Sequence, residues 1–201
     1  MLKLATATAA FALAAGAAFA APQVGAAAPS FTGKSSNGET VSLDQFLGRN
    51  VVLEWTNHDC PFVVKHYATG NMQTTQQAAK DDGAVWLTVI SSAPGTQGYV
   101  SPEKANELTT SRGAKPDYVL LDATGEIGKA YAAKTTPHMF VIDAEGKLRY
   151  DGAIDDKPSA NHATVSGASN YLLAALGSVV AGEDVALAQT KPYGCSVKYA
   201  E

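Results

Sequence analysis

Two cysteines are the residues of this sequence that could carry covalent redox chemistry. Cys60 follows the apolar run "VVLEW" and directly precedes Pro61, whose ring is pre-organised for the first position of a helix. Cys60 is therefore predicted at the N-cap, where free backbone N–H groups and the helix dipole favour a thiolate. Because the thiolate is the nucleophilic form of cysteine, the sequence predicts a reactive thiol. The alternative is a buried cysteine without a chemical role.

Charged side chains next to Cys60 would act on this thiol in opposite directions. His58 would add positive charge when protonated, whereas the carboxylate of Asp59 would raise the pKa of the thiol. The sequence leaves the net shift open. Neither His58 nor His66 is a helical-turn neighbour of Cys60, so we predict no metal site and no cofactor at this cysteine.

Alternating strand and helix patterns would position Cys60. Buried strands are predicted at "RNVVLEW", "AVWLTVI" and "DYVLLD", and a hairpin at "HMFVID" and "LRYDGAI". Helices are predicted from Pro61 to about Lys80, from Pro102 to about Arg112 after an N-cap at Ser101, over "GEIGKAYAA", and over "SNYLLAALGSVVAG" with Ser169 as cap. Parallel strand–helix units followed by an antiparallel hairpin predict an α/β fold with a central mixed β-sheet flanked by helices on both faces.

The start of the chain indicates export. A short basic beginning, an apolar Ala-rich run and Ala18-Phe19-Ala20 predict a signal peptide over residues 1–20, followed by one domain over residues 21–201 that includes a tail at 183–201. A periplasmic or secreted location is oxidising, so both cysteines face pairing or redox use. The net charge of −4 comes with no basic run, and no later apolar stretch is long enough to span a bilayer. We therefore expect neither a nucleic-acid partner nor stable membrane association.

A Thr-Pro dipeptide stands immediately before the predicted strand "HMFVID". X-Pro bonds are the ones that adopt the cis form at all readily, and Thr136-Pro137 is such a bond. The local sequence by itself favours an ordinary trans proline at the start of a strand.

These motifs together resemble the thioredoxin superfamily, and within it the redoxins of the AhpC/TSA type, a peroxiredoxin-like group. The resemblance covers nearly all of the mature chain through "VGAAAPSF", "GETVSLDQFLGRNVVLEW", "CPF", "TTPHMFVIDAEGKLRYDG" and "YGCSVKY". It implies a thioredoxin-like fold and thiol redox chemistry at Cys60. It also implies that Thr136-Pro137 is a cis bond beside the reactive cysteine, that Thr136, Pro137 and His138 face the substrate, and that Trp55, Thr56, Asn57, His58 and Pro61 support the site.

Departures from the family pattern separate the subclasses. Val63 stands where a thioredoxin motif has its second cysteine, so a disulfide within the motif is excluded. Peroxiredoxins carry Thr or Ser three residues before the reactive cysteine, and here that residue is Asn57. The arginine that polarises a peroxide would align with Pro137, and nothing in the sequence puts Arg112 or Arg149 in its place. The resemblance therefore favours disulfide exchange over peroxide cleavage.

Cys195 is the remaining candidate partner of Cys60. It follows Gly194 in a polar tail where the chain could move, so it could attack an oxidised Cys60 and close an intramolecular disulfide; a permanent structural disulfide is the alternative. We predict an exported thiol–disulfide oxidoreductase with Cys60 as nucleophile and Cys195 as resolving cysteine. Its partners would be a protein or small-molecule disulfide, or a hydroperoxide, together with a thiol reductant. The alternatives are a thiol-dependent peroxidase and a binding module with a structural Cys60–Cys195 bond.

Overall fold

A computed structural model describes residues 21–200, so the expected signal peptide lies outside the described residues. The strands are β1 (Thr32–Lys34), β2 (Thr40–Ser42), β3 (Val51–Trp55), β4 (Val85–Ile90), β5 (Tyr118–Leu121), β6 (Thr135–Thr136), β7 (His138–Ile142), β8 (Leu148–Gly152) and β9 (Cys195–Ser196). The α-helices are α1 (Pro61–Ala68), α2 (Asn71–Asp81), α3 (Pro102–Ser111), α4 (Glu126–Ala130) and α5 (Tyr171–Val180). Short 3-10 helices cover Leu43–Phe46 and His162–Val165.

The central sheet has five strands in the order β5-β4-β3-β7-β8. Strands β3, β4 and β5 run parallel, whereas β7 is antiparallel to β3 and β8 is antiparallel to β7. The unbroken apolar runs of β3 and β4 are buried throughout, as expected for parallel strands covered on both faces. The predicted mixed sheet with helices on both faces is confirmed.

Two hydrophobic cores lie on opposite faces of this sheet, because successive side chains of a strand point to opposite sides. Leu53, Trp55 and Phe140 pack on the face covered by α4. Val52 and Met139 pack on the face covered by α1, α2 and α5, and Cys60 belongs to this second core. Strand parity therefore decides which side chains of β3 and β7 share a face with Cys60.

Helix boundaries differ from the sequence expectation at two positions. The helix predicted from Pro61 to about Lys80 is divided at Gly70, whose φ of 78° is left-handed and ends α1 before α2 begins. The N-cap of α5 is Asn170 rather than Ser169, because the Asn170 side chain accepts the N–H of Leu173 at 2.9 Å. Ser101 caps α3 as predicted. Within residues 21–200, no helix is long and apolar enough to cross a membrane.

Candidate active site

Cys60 occupies the N-cap of α1, with Pro61 at the first helical position, as predicted. Its backbone N–H donates to the Asn57 carbonyl at 3.1 Å, which closes the turn between β3 and α1. The side chain is fully buried. Its thiol donates to the carbonyl oxygen of Thr136 at 3.0 Å, so the sulfur lies against β6 rather than in solvent.

The Thr136–Pro137 peptide is cis and meets the C-terminal tail beside the Cys60 sulfur. Strand β6 pairs antiparallel with β9, which brings Thr136 opposite Cys195. The backbone N–H of Cys195 lies 3.4 Å from the Cys60 Sγ. Both cysteines are free thiols. Thr136 and Cys195, which are far apart in the sequence, thus lie together at the Cys60 sulfur. Strand β9 of the tail pairs with the Thr136 backbone and covers it.

Gly194 makes this close approach of the tail possible. Its φ of 137° lies in a region that L side chains rarely adopt, and a Cβ there would collide with the Thr136 carbonyl oxygen. A side chain at position 194 would therefore push Cys195 away from Cys60.

The pKa values of the two thiols are shifted in opposite directions. Burial alone would raise the pKa of Cys60, but hydrogen bonds from Cys195 and from backbone N–H groups outweigh burial and lower that pKa. Burial and the neighbouring Cys60 sulfur raise the pKa of Cys195 to about 11. At neutral pH, Cys195 is therefore a thiol that donates to the sulfur of Cys60, and Cys60 is the more readily ionised of the two.

Trp55 and His138 lie on the opposite face of the sheet from Cys60. They are paired neighbours on β3 and β7, and Trp55 packs against Phe140 in the first core. The Nε2 of His138 lies 2.6 Å from Asp151 Oδ1, and its Nδ1 accepts the Lys134 N–H at 3.2 Å. The His138 side chain therefore points away from the Cys60 sulfur in this structure, because one residue along β7 from Pro137 reverses the direction of the side chain, and a role for His138 toward substrate stays a prediction.

Asn57 and His58 shape the loop before Cys60. The Asn57 side chain accepts the N–H of Asp59 at 2.9 Å and donates to the Gln97 carbonyl at 3.2 Å. Burial lowers the pKa of His58, so its ring is neutral at pH 7 and adds no positive charge beside Cys60. The Asn57 contacts hold the loop before Cys60 in its conformation.

A cavity of about 30 Å³ lies beside the same loop, lined by Thr56, His58 and Arg112 together with apolar side chains of α3 and β5. Within residues 21–200, the buried Thr56 hydroxyl has no hydrogen-bond partner. The Arg112 guanidinium donates to the His58 carbonyl at 2.9 Å, and the described lining does not include Cys60. Arg149 pairs with Asp143 at the far end of β7, so neither arginine contacts the Cys60 sulfur.

The sequence profile described as Redoxin matches residues 23–172. The chain belongs to the Redoxin family. Redoxins are thiol oxidoreductases, so the chain is a thiol oxidoreductase, the enzyme class that the resemblance implied. No curated protein sequence matches at a significant level.

Solved structures support the redoxin fold. An uncharacterized conserved protein from Geobacillus kaustophilus superposes with a TM-score of 0.76 at 25% identity, covering 89% of this chain and 93% of that one. A hypothetical protein from Sinorhizobium meliloti 1021 gives 0.75 at 24% identity, covering 90% and 97%. A thiol:disulfide interchange protein from a Bacteroides species gives 0.53 at 22% identity, covering 72% and 89%.

Sequence reasoning missed two residues of this redoxin that lie close to the site. Glu54 is fully buried on β3, and its carboxylate accepts hydrogen bonds from Tyr67, Trp86, Thr88 and Gln76. A charged residue inside the run "VVLEW" was the available signal. The Tyr193 hydroxyl connects the tail to Lys65 and His66 of α1, and no local sequence pattern indicated this contact. Among residues 21–200, no group of His, Cys, Asp and Glu side chains is arranged to hold a metal.

Proposed function

We propose that the protein is an exported thiol–disulfide oxidoreductase in which Cys60 is the nucleophile and Cys195 the resolving cysteine. The proposal is carried by one observation, the Cys195 N–H at 3.4 Å from the Cys60 sulfur on a strand paired with β6. The structural likeness to a thiol:disulfide interchange protein from a Bacteroides species agrees with this proposal.

The reaction takes two exchange steps. The Cys60 thiolate attacks one sulfur of a substrate disulfide, the S–S bond breaks, and the other sulfur leaves as a thiolate. Cys195 loses its proton and attacks the Cys60 sulfur, which forms the Cys60–Cys195 disulfide and releases the second substrate thiolate. The substrate is reduced to two thiols and the cysteine pair is oxidised. A thiol reductant returns the pair to the form described here.

A peroxidase is the second candidate, and the unpartnered Thr56 hydroxyl in a cavity shared with Arg112 is the observation in its favour. Peroxide cleavage needs fixed donors aimed at the departing oxygen. Arg112 is instead bound to the His58 carbonyl, and Pro137 follows the carbonyl that meets the Cys60 sulfur. Disulfide exchange needs a thiolate and a second thiol within reach, and the closeness of Cys60 and Cys195 supports exchange over peroxide cleavage.

Reduced protein is expected to react faster with glutathione disulfide than with hydrogen peroxide, because neither Arg112 nor Arg149 lies at the Cys60 sulfur to polarise a peroxide. Stopped-flow measurements with each oxidant give both second-order rate constants, with Cys60→Ser as the blank. Peptide mapping of the product is expected to find a Cys60–Cys195 disulfide. A peroxide rate that is greater by orders of magnitude would establish the peroxidase instead. Rates equal to the blank with both oxidants would leave Cys60 without a catalytic role.

The exported protein is expected to begin at Ala21, because Ala18-Phe19-Ala20 precedes it as a cleavage site. Expression of the full sequence in a bacterium, followed by fractionation and intact-mass measurement, tests this. Alanine-to-arginine substitution at Ala18 and Ala20 is the matched control and is expected to block cleavage. A periplasmic protein that keeps residues 1–20 would contradict the proposed processing.

A further inference from the structure

The tail around Cys195 is held in place by few backbone contacts. On one side, Thr190 donates its N–H to the Asp151 carbonyl at 3.1 Å. On the other side, Val197 donates to the Lys134 carbonyl at 3.1 Å, next to the β6–β9 pair. Between these two points, residues 191–194 precede the β6–β9 pair. In this described segment, the Tyr193 hydroxyl makes all the hydrogen bonds. This side chain is the polar connection of residues 191–194 to the body of the protein; farther along the tail, the Lys198 carbonyl accepts the Ala93 N–H at 2.7 Å and the Tyr199 hydroxyl donates to the Ala133 carbonyl at 2.8 Å.

The Tyr193 hydroxyl lies at the centre of a buried polar cluster. It donates to Asp155 Oδ1 at 2.5 Å, and it lies 3.3 Å from Lys65 Nζ and 3.1 Å from His66 Nε2. Lys65, His66 and Asp155 are all buried. The Phe62 ring lies 5.8 Å from the ring of Tyr193. Three of these partners belong to α1, the helix that carries Cys60 at its N-cap.

Proton positions in this cluster are mutually consistent. The amide nitrogen of Asn71 lies 2.7 Å from His66 Nδ1 and can only donate, so the neutral ring carries its proton on Nε2 and donates to the Tyr193 oxygen. Burial lowers the pKa of His66 to about 4, which keeps the ring neutral at pH 7. The Tyr193 oxygen therefore accepts from Lys65 and His66 while its own proton goes to Asp155.

We propose that Tyr193 is a positioning residue that holds Cys195 against Cys60 by fastening the tail to α1. The inference rests on the proposed roles of the two cysteines. Tyr193 stands two residues before Cys195, and Gly194 between them packs directly on the Thr136 carbonyl, so a fixed Tyr193 leaves Cys195 little freedom to move. Without the hydroxyl contacts, the tail separates from Cys60 more often. Cys60 is then exposed more often, and Cys195 is less available to form the disulfide.

Tyr193→Phe removes the hydroxyl but keeps the ring, and Tyr131→Phe is the matched control because its hydroxyl donates to the Pro29 carbonyl at 2.8 Å, away from the tail. Iodoacetamide labelling of Cys60 in the reduced full chain, followed by mass spectrometry, measures exposure of the sulfur. Equilibration with glutathione measures the stability of the Cys60–Cys195 disulfide. In Tyr193→Phe, labelling is expected to rise at least roughly tenfold, the effect expected from losing hydrogen bonds to charged groups.

The disulfide equilibrium constant of Tyr193→Phe is expected to fall at least roughly tenfold, which raises the reduction potential by about 30 mV for a two-electron couple. Tyr131→Phe is expected to leave both quantities unchanged. Asp155→Asn is a second variant that weakens the same cluster and is expected to act in the same direction. Unchanged labelling in both cluster variants would overturn the role of Tyr193. A wild-type chain that forms no disulfide with glutathione, but still shows the labelling difference, would refute the proposed reaction and leave the positioning role intact.

Discussion

Cys195→Ser is expected to lower turnover with a disulfide substrate by roughly a hundredfold or more, because an external thiol must then replace one held beside Cys60. The first attack by Cys60 is expected to persist, so a mixed disulfide accumulates on Cys60. Steady-state turnover and intact-mass measurement of trapped protein test the two parts. Ser196→Ala, at the exposed neighbouring position of β9, is the control and is expected to turn over normally.

Cys195→Ala adds a second readout, because alanine also removes the donor to the Cys60 sulfur. The hydrogen bond from Cys195 lowers the pKa of Cys60, so its loss is expected to raise that pKa and reduce the thiolate fraction at pH 7. Thiolate absorbance near 240 nm followed against pH measures the change, and serine, which keeps a donor, is expected to shift it less. Normal turnover in both variants would show that Cys195 is not the resolving cysteine.

Glu54→Leu is expected to lower the free energy of unfolding by about 3–6 kcal/mol, because several buried donors lose their acceptor together. The Trp86 indole N–H lies 3.0 Å from this carboxylate, and the Tyr67 hydroxyl lies 2.9 Å from it. Denaturant unfolding at pH 7 measures the loss. Glu107→Gln, at an exposed position of α3, is the control and is expected to have little effect.

Glu54→Gln keeps an oxygen acceptor, so a smaller loss is expected, and its pH dependence tests the charge of the carboxyl group. Burial raises the pKa of Glu54 above its usual value of 4.5, which means that the folded state disfavours the ionised form. The wild-type protein therefore loses stability, relative to the glutamine variant, as the pH rises from about 4.5 through the raised pKa. If the wild-type protein instead became more stable than the glutamine variant as the pH rises over this range, the raised pKa of Glu54 would be contradicted.

Local sequence was sufficient to predict the elements on either side of Cys60. An apolar run fixed β3, and Pro61 fixed the start of α1, since both signals act within a few residues. The direction of the His138 side chain could not be predicted from local sequence, because it depends on how β7 is placed relative to Cys60 in another element. Tyr193 could not be predicted at all, because its partners on α1 are more than a hundred residues away and local pattern carries no information about that contact.

Burial of Cys60 beneath β9 is expected to protect this sulfur against irreversible oxidation. A cysteine oxidised once to a sulfenic acid is still recoverable, but a second oxidant molecule converts it to a sulfinic acid that thiol reductants do not restore. The second oxidant must reach a sulfur that the tail covers, whereas the Cys195 backbone is already 3.4 Å away. If Cys195 has its proposed resolving role, condensation with its thiol is expected to precede further oxidation of Cys60. The tail is then expected to keep oxidation of Cys60 at a stage that a thiol reductant can reverse.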